Sequence, residues 1–127
     1  MSKLILIVDT DERVQLALQR LLFEEGHKTI SANDIWEGIE LAKTTKPDLI
    51  IMDITPNYNG LIACNIIKAD RITRKIPLVI FTEIDSEVRK EVAKKLGTDR
   101  YITKRFGRDK LLDAISQLLS LPIRMMV

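Results

Sequence analysis

The sequence holds little of what most catalytic and metal-binding schemes draw on: one histidine, one cysteine and one tryptophan in 127 residues. The lone Cys64 forms no intrachain disulfide, and with no secretory leader ahead of the first apolar run the reducing cytoplasm is the expected compartment. A single His27 excludes catalytic and metal centres built on several imidazoles. Glycine (5) and proline (4) are scarce, which excludes collagen-like and low-complexity chains. The longest apolar run, residues 4–8, falls far short of the ~20 residues that span a bilayer, so no membrane segment is expected. Charge of one sign is missing as well. The 20 basic and 18 acidic residues are interspersed and leave a net +2, so direct nucleic-acid binding is not expected. Neither G-x-G-x-x-G nor G-x-x-x-x-G-K-[ST] occurs, which removes the glycine loops that cradle nucleotide phosphates.

What is present is a composition of 46% hydrophobic and 30% charged residues, enough for one core and too short for two domains. A single domain over 1–127 is expected, with its core at about 3–120 and 121–127 as a tail. Five short β-branched segments, 4–8, 28–32, 49–52, 78–81 and 100–103, read as strands. Three of them are continuous Ile/Leu/Val runs, as in parallel strands covered by helices on both faces. Helical spacing fills the gaps. Residues 12–25 carry Val14, Ala17, Leu18, Leu21 and Leu22, with Gly26 to end the helix. Asn33 or Asp34 caps a second helix that buries Ile35, Ile39 and Ala42, packs Trp36 and stops before Pro47. A third covers about 61–69 and lies deep against the sheet. Asp85 or Ser86 opens a fourth, with Val88, Val92 and Leu96 inward and Gly97 at its end. The fifth carries Leu111, Leu112, Ile115, Leu118 and Leu119. Strand then helix, five times over, predicts an α/β doubly wound, five-stranded parallel sheet with five helices, a flavodoxin-like fold.

In such sheets ligands bind beyond the carboxyl ends of the strands. Those ends carry Asp9, Thr10 and Asp11, then Asp53, then Thr82 and Glu83, and last Lys104. Carboxylates that converge in a crevice repel one another, and a hard divalent cation such as Mg²⁺ relieves the repulsion. One carboxylate oxygen is then left to act as nucleophile, while a lysine and a hydroxyl meet a phosphoryl group's oxygens. The plainer alternative is that these carboxylates are helix caps and that Lys104 is a surface ion-pair partner. His27 reads as a surface residue beyond a capping glycine, and Cys64 as a small apolar filler.

These segments resemble the receiver domains of two-component response regulators, of the chemotaxis-receiver kind, over residues 3 to about 120. The likeness rests on Ile5-Leu6-Ile7-Val8-Asp9 and on Lys46-Pro47-Asp48-Leu49-Ile50-Ile51-Met52-Asp53 with Pro56 and Gly60 behind it. It continues in Ile76-Pro77-Leu78-Val79-Ile80-Phe81-Thr82 and in Gly97-Thr98-Asp99-Arg100-Tyr101-Ile102-Thr103-Lys104. The resemblance implies Asp53 as phosphoacceptor, Asp9 and Asp53 as Mg²⁺ ligands, Thr82 and Lys104 as partners of the phosphoryl group, and Tyr101 as the aromatic switch residue. It implies a signalling module rather than an enzyme. Its partners would be a histidine kinase or phosphotransfer protein, and a downstream protein target or a C-terminal output domain outside this chain.

Four departures fall at the working edge. Thr10 stands where the family has a second acidic residue, so Mg²⁺ is expected to bind weakly unless Asp11 turns inward. The loop from Asp53 to Gly60 is one residue shorter than the family's Asp-x-x-Met-Pro-x-x-x-Gly, which alters the backbone carbonyl, here that of Thr55, offered to the metal. Glu83 replaces a small residue and would act as an access gate. Lys104-Arg105 replaces Lys-Pro, and a cis peptide without proline costs roughly 3 kcal/mol, so trans is expected. Two functions fit. One is a phosphotransfer switch that accepts a phosphoryl group on Asp53 and signals through the face of helix 4, strand 5 and helix 5. The alternative is a phosphorylation-independent pseudo-receiver that docks a protein partner. A flavin-binding protein is a more distant third, with Trp36, Tyr58 and Tyr101 as the only stacking candidates.

Overall fold

The computed structural model describes residues 2–54 and 59–120, with the backbone alone for Asn59 and Phe106. Five strands, β1 (Leu4–Val8), β2 (Lys28–Ala32), β3 (Leu49–Met52), β4 (Leu78–Thr82) and β5 (Arg100–Thr103), alternate with five helices. These are α1 (Glu12–Glu24), α2 (Ile35–Thr45), α3 (Asn59–Ala69), α4 (Glu87–Lys95) and α5 (Gly107–Leu118), the last preceded by a 3₁₀ turn at Lys104–Phe106. The strands form one parallel sheet in the order β2-β1-β3-β4-β5. The expected doubly wound fold is therefore present.

Because side chains alternate along a strand, each central strand feeds two cores. Leu6, Val8, Ile50, Met52, Leu78 and Ile80 pack with α2, α3 and α4, while Ile5, Ile7, Leu49, Ile51, Val79 and Phe81 pack with α1 and α5. Strands buried on both sides have no room for polar alternation, which is why their sequences are unbroken apolar runs. Cys64 is buried against Met52, and burial pushes its thiol up to about 12, so it serves as an apolar filler.

The caps resolve the open choices of helix start. Asp34 accepts the Glu37 N–H at 2.9 Å, and Glu37 in turn accepts the Asn33 N–H at 2.7 Å. Ser86, not Asp85, caps α4 through the Arg89 N–H. Past the end of α1, Gly26 takes φ +87, where a side chain would be strained.

Three expectations fail. On α4, Val88 is 74% exposed and Val92 also faces outward; Leu96 packs on the core as expected, joined by Ala93. Trp36 is 61% exposed, not packed. His27 is buried at 7% exposure, where its Nδ1 accepts the Lys3 N–H at 3.3 Å. Burial, the leading cause, holds its pKa below the usual 6.5 and the ring neutral. The unfolded chain thus binds more protons than the fold as pH drops through 6.5, and stability conferred above that pH is lost below it, by at most about 1.4 kcal/mol per pH unit. Urea midpoints should fall between pH 7.5 and pH 5.5, and His27→Gln should flatten that slope; an equal slope in both proteins would place the proton elsewhere.

Candidate functional site

The strand order reverses direction between β1 and β3, and a crevice opens where the chain leaves the two strands on opposite sides. Asp9 and Asp53 stand at its lips. The Asp53 N–H bonds to the Val8 carbonyl at 3.0 Å, which carries the β1–β3 ladder one residue past the strand and sets the two carboxylates side by side. Below Asp53, α3 approaches so closely that a Cβ on Gly60 would lie 2.5 Å from the Cα of Ile54. No other residue fits there.

Lys104 directly follows β5, two strands from β3. At about 4.8 Å per strand that is roughly 10 Å, a gap that the lysine stem and the aspartate side chain close from opposite sides. Its Nζ lies 2.9 Å from Asp9 Oδ2 and 3.0 Å from Asp53 Oδ2. All three side chains are secluded, at 13%, 3% and 6% exposure for Lys104, Asp9 and Asp53. Burial works against the Lys104 charge, but its bonds to both aspartates outweigh it and hold its pKa above the ordinary lysine value. For Asp9 burial prevails and raises the pKa, while the Asp11 N–H, at 2.8 Å from Oδ1, and Lys104 pull it back. With both carboxylates ionised the corner carries −2 + 1 = −1, and its donors are hard oxygens, which suits a single hard cation.

Thr82 ends β4, fully buried, and its Oγ1 accepts the Ile84 N–H at 3.3 Å. The carbonyl of the same Ile84 accepts the Tyr101 hydroxyl at 2.6 Å. Ile84 thus links two residues that the sequence singles out separately. The Tyr101 ring also meets Lys90, whose Nζ lies 5.9 Å from its centroid.

Asp11 does not join the cluster. Its carboxylate caps α1 through the Arg13 N–H at 2.9 Å and pairs with the Arg13 side chain, bonds that hold its pKa below the ordinary aspartate value. Among the described residues no group of three or more carboxylate, histidine or cysteine ligands is assembled. Thr10 is exposed at the turn between Asp9 and Asp11. Glu83 is exposed and lies with Lys104, Arg13 and Arg108 on the rim of a groove of about 770 Å³ between α1 and α5. Thr55 and the rest of its loop, 55–58, lie outside the described residues, as does the tail 121–127.

Sequence reasoning passed over Ile84 and Gln15. Gln15 is buried on α1, and its amide donates to the carbonyl of Asp9. The available signal was a polar residue in register with Leu18 and Leu22, on the face that α1 turns to the sheet.

Comparison with known proteins shows the family and the fold. The family profile described as response regulator receiver domain matches residues 5–116. Protein PilH of Pseudomonas aeruginosa is 35% identical over 117 residues, covering 91% of this chain and 97% of PilH. A CheY-like receiver domain protein from Methanospirillum hungatei superposes with a TM-score of 0.84 at 26% identity, over 94% of this chain and 95% of that one. The receiver domain of the sensor histidine kinase PA1611 of Pseudomonas aeruginosa, with magnesium coordinated in its active site cleft, shares the fold at a TM-score of 0.83 and 22% identity, over 94% and 99% of the two chains. With a profile match over residues 5–116 and a relative 35% identical over nearly its full length, this chain belongs to the response regulator receiver domain family.

Proposed function

We propose that this receiver domain accepts a phosphoryl group on Asp53. The observation that carries the reading is the Lys104 ammonium seated between Asp9 and Asp53 at 2.9 and 3.0 Å. An Asp53 oxygen attacks phosphorus, the donor's P–N or P–O bond breaks, and its electron pair leaves with the imidazole or carboxylate of the donor. Asp9 and Asp53 would hold Mg²⁺, which neutralises the phosphoryl oxygens during transfer. Lys104 stays as a point charge on the new acyl phosphate.

Phosphorylation adds about one negative charge at Asp53. A Thr82 hydroxyl that turns to meet it gives up the Ile84 N–H, and Ile84 in turn holds Tyr101. The signal then reaches the face of α4, β5 and α5, where Val88 and Val92 are already exposed. The donor is a histidine kinase or phosphotransfer protein of the cytoplasm, and the reader of that face is a downstream protein or an output domain. No observation favours the phosphorylation-independent docking reading. No helix among the described residues is long and apolar enough to cross a membrane.

Incubation with acetyl phosphate and Mg²⁺ should yield one phosphopeptide, containing Asp53, and alter amide exchange around Ile84 and Tyr101. Labelling at Asp53 with exchange unchanged there would rule out the relay through Ile84. Glu83 on the rim repels anionic donors. Unit charges 4 Å apart interact by about 1 kcal/mol in water, so Glu83→Ala should speed labelling by about threefold to fivefold. A slower reaction would remove Glu83 from the gate.

A further inference from the structure

Gln15 is a buried amide on the face of α1 that also carries the buried Leu18 and Leu22, while the half-buried Gln19 donates to Ser31 of β2 at 2.8 Å. Its Nε2 faces three oxygens: the Asp9 carbonyl, the Asn33 Oδ1 at 3.0 Å and the Ala32 carbonyl at 3.4 Å. Three acceptors around one terminus fix the amide with its nitrogen inward, since its oxygen could not donate to them. The paired register of β1 and β2 ends at Val8 and Ala32. Beyond it, the Asp9 N–H still reaches the Ala32 carbonyl at 3.2 Å, but the Asp9 carbonyl has left the ladder and is met by Gln15. The Asp9 backbone is therefore clamped on both sides, and its carboxylate is held by the Asp11 N–H and Lys104.

We propose that Gln15 is a positioning residue for the acceptor site: by fixing the Asp9 carbonyl it aims the Asp9 carboxylate at Lys104 and at the cation shared with Asp53. The proposal rests on the reading of Asp9 and Asp53 as the metal pair. Gln15 touches neither phosphorus nor metal. Without it the Asp9 peptide is free to rotate, and Lys104 loses one of its two fixed partners. Partners one shell removed from a metal typically change affinity by ~10 to 100-fold when lost, and the lower end applies here because the Asp11 N–H still holds the carboxylate.

The test uses Gln15→Met, which keeps length and helix propensity and removes the donor, with nuclear magnetic resonance of the domain with and without Mg²⁺. In the metal-free variant the Lys104 Nζ resonance should move toward that of a solvated lysine, and the Mg²⁺ dissociation constant should rise about tenfold. Asn33→Ala removes a different acceptor of the same amide and should leave both readouts close to wild type. A Gln15→Met protein with unchanged Lys104 resonance, or an Asn33→Ala protein as impaired as Gln15→Met, overturns the proposal. Should wild type show no response to Mg²⁺, the metal reading fails and the metal-free Lys104 resonance alone decides the role of Gln15. If Gln15→Met does not fold, exchange of the Gln15 side-chain amide in wild type decides: protection supports the clamp, and exchange as fast as that of a surface amide overturns it.

Discussion

Asp53→Asn should abolish phosphoryl labelling by acetyl phosphate and leave the domain folded. An amide oxygen is a far poorer nucleophile than a carboxylate, and Asp53, the proposed acceptor, is secluded beside a Lys104 ammonium that can follow the phosphoryl group. Asp9 is engaged on both oxygens, by the Asp11 N–H and by Lys104. Asp11 is committed to the start of α1. The fold should tolerate the change. In wild type two carboxylates share one buried ammonium, and removing one leaves a matched Asp9–Lys104 pair with less repulsion, so the melting temperature should stay equal or rise slightly. Intact-mass spectrometry and thermal melts on the two proteins check both halves. Unreduced labelling of Asp53→Asn, or a phosphopeptide containing Asp9 or Asp11, would reassign the acceptor.

The convergence of Asp9, Asp53 and Lys104 was legible because it follows from topology. Once five parallel strands are granted, every residue that ends a strand lies on one edge, and a lysine and an aspartate close the gap from β5 to β3 between them. The strands themselves were legible because burial on both faces leaves unbroken apolar runs such as residues 4–8 and 49–52. Helix faces were less so. Val88, Val92 and Leu96 share one helical stripe, yet α4 packs over the β4–β5 side of the sheet through Ala93 and Leu96, so the start of the stripe stays in solvent. Trp36 follows an α2 cap at the rim and misses the core for a related reason. His27 was misread because its burial depends on a backbone N–H contributed by Lys3, 24 residues away. Ile84 was illegible in a stricter sense, since what matters is its backbone, which leaves no trace in residue type; Gln15 showed only as a polar residue on a buried stripe, and its partner, a carbonyl beyond the end of a ladder, leaves no such trace.

Thr10→Asp should tighten Mg²⁺ binding by at least ~10 to 100-fold, the effect typical of an outer-shell partner, since it adds a direct carboxylate. Thr10 is exposed at the turn that joins Asp9 to the α1 cap, so a carboxylate there is not forced into the core. Asp11, the alternative source considered for that carboxylate, is already bound to Arg13 and the helix terminus, so among the described residues Asp9 and Asp53 are the carboxylates gathered at Lys104. The same substitution changes the corner from −1 to −2, and without metal the added repulsion should lower the melting temperature. Mg²⁺ should then raise it by more than in wild type, because a ligand stabilises by RT ln(1 + [L]/Kd). Faster labelling of Asp53 at limiting Mg²⁺ should accompany the tighter binding if metal occupancy limits transfer. Titrating Mg²⁺ against chemical shifts and melting temperature in both proteins separates the alternatives. Equal affinities would mean that Asp11 leaves its cap to ligate the metal, in which case Asp11→Asn should weaken Mg²⁺ binding as strongly as Asp9→Asn does.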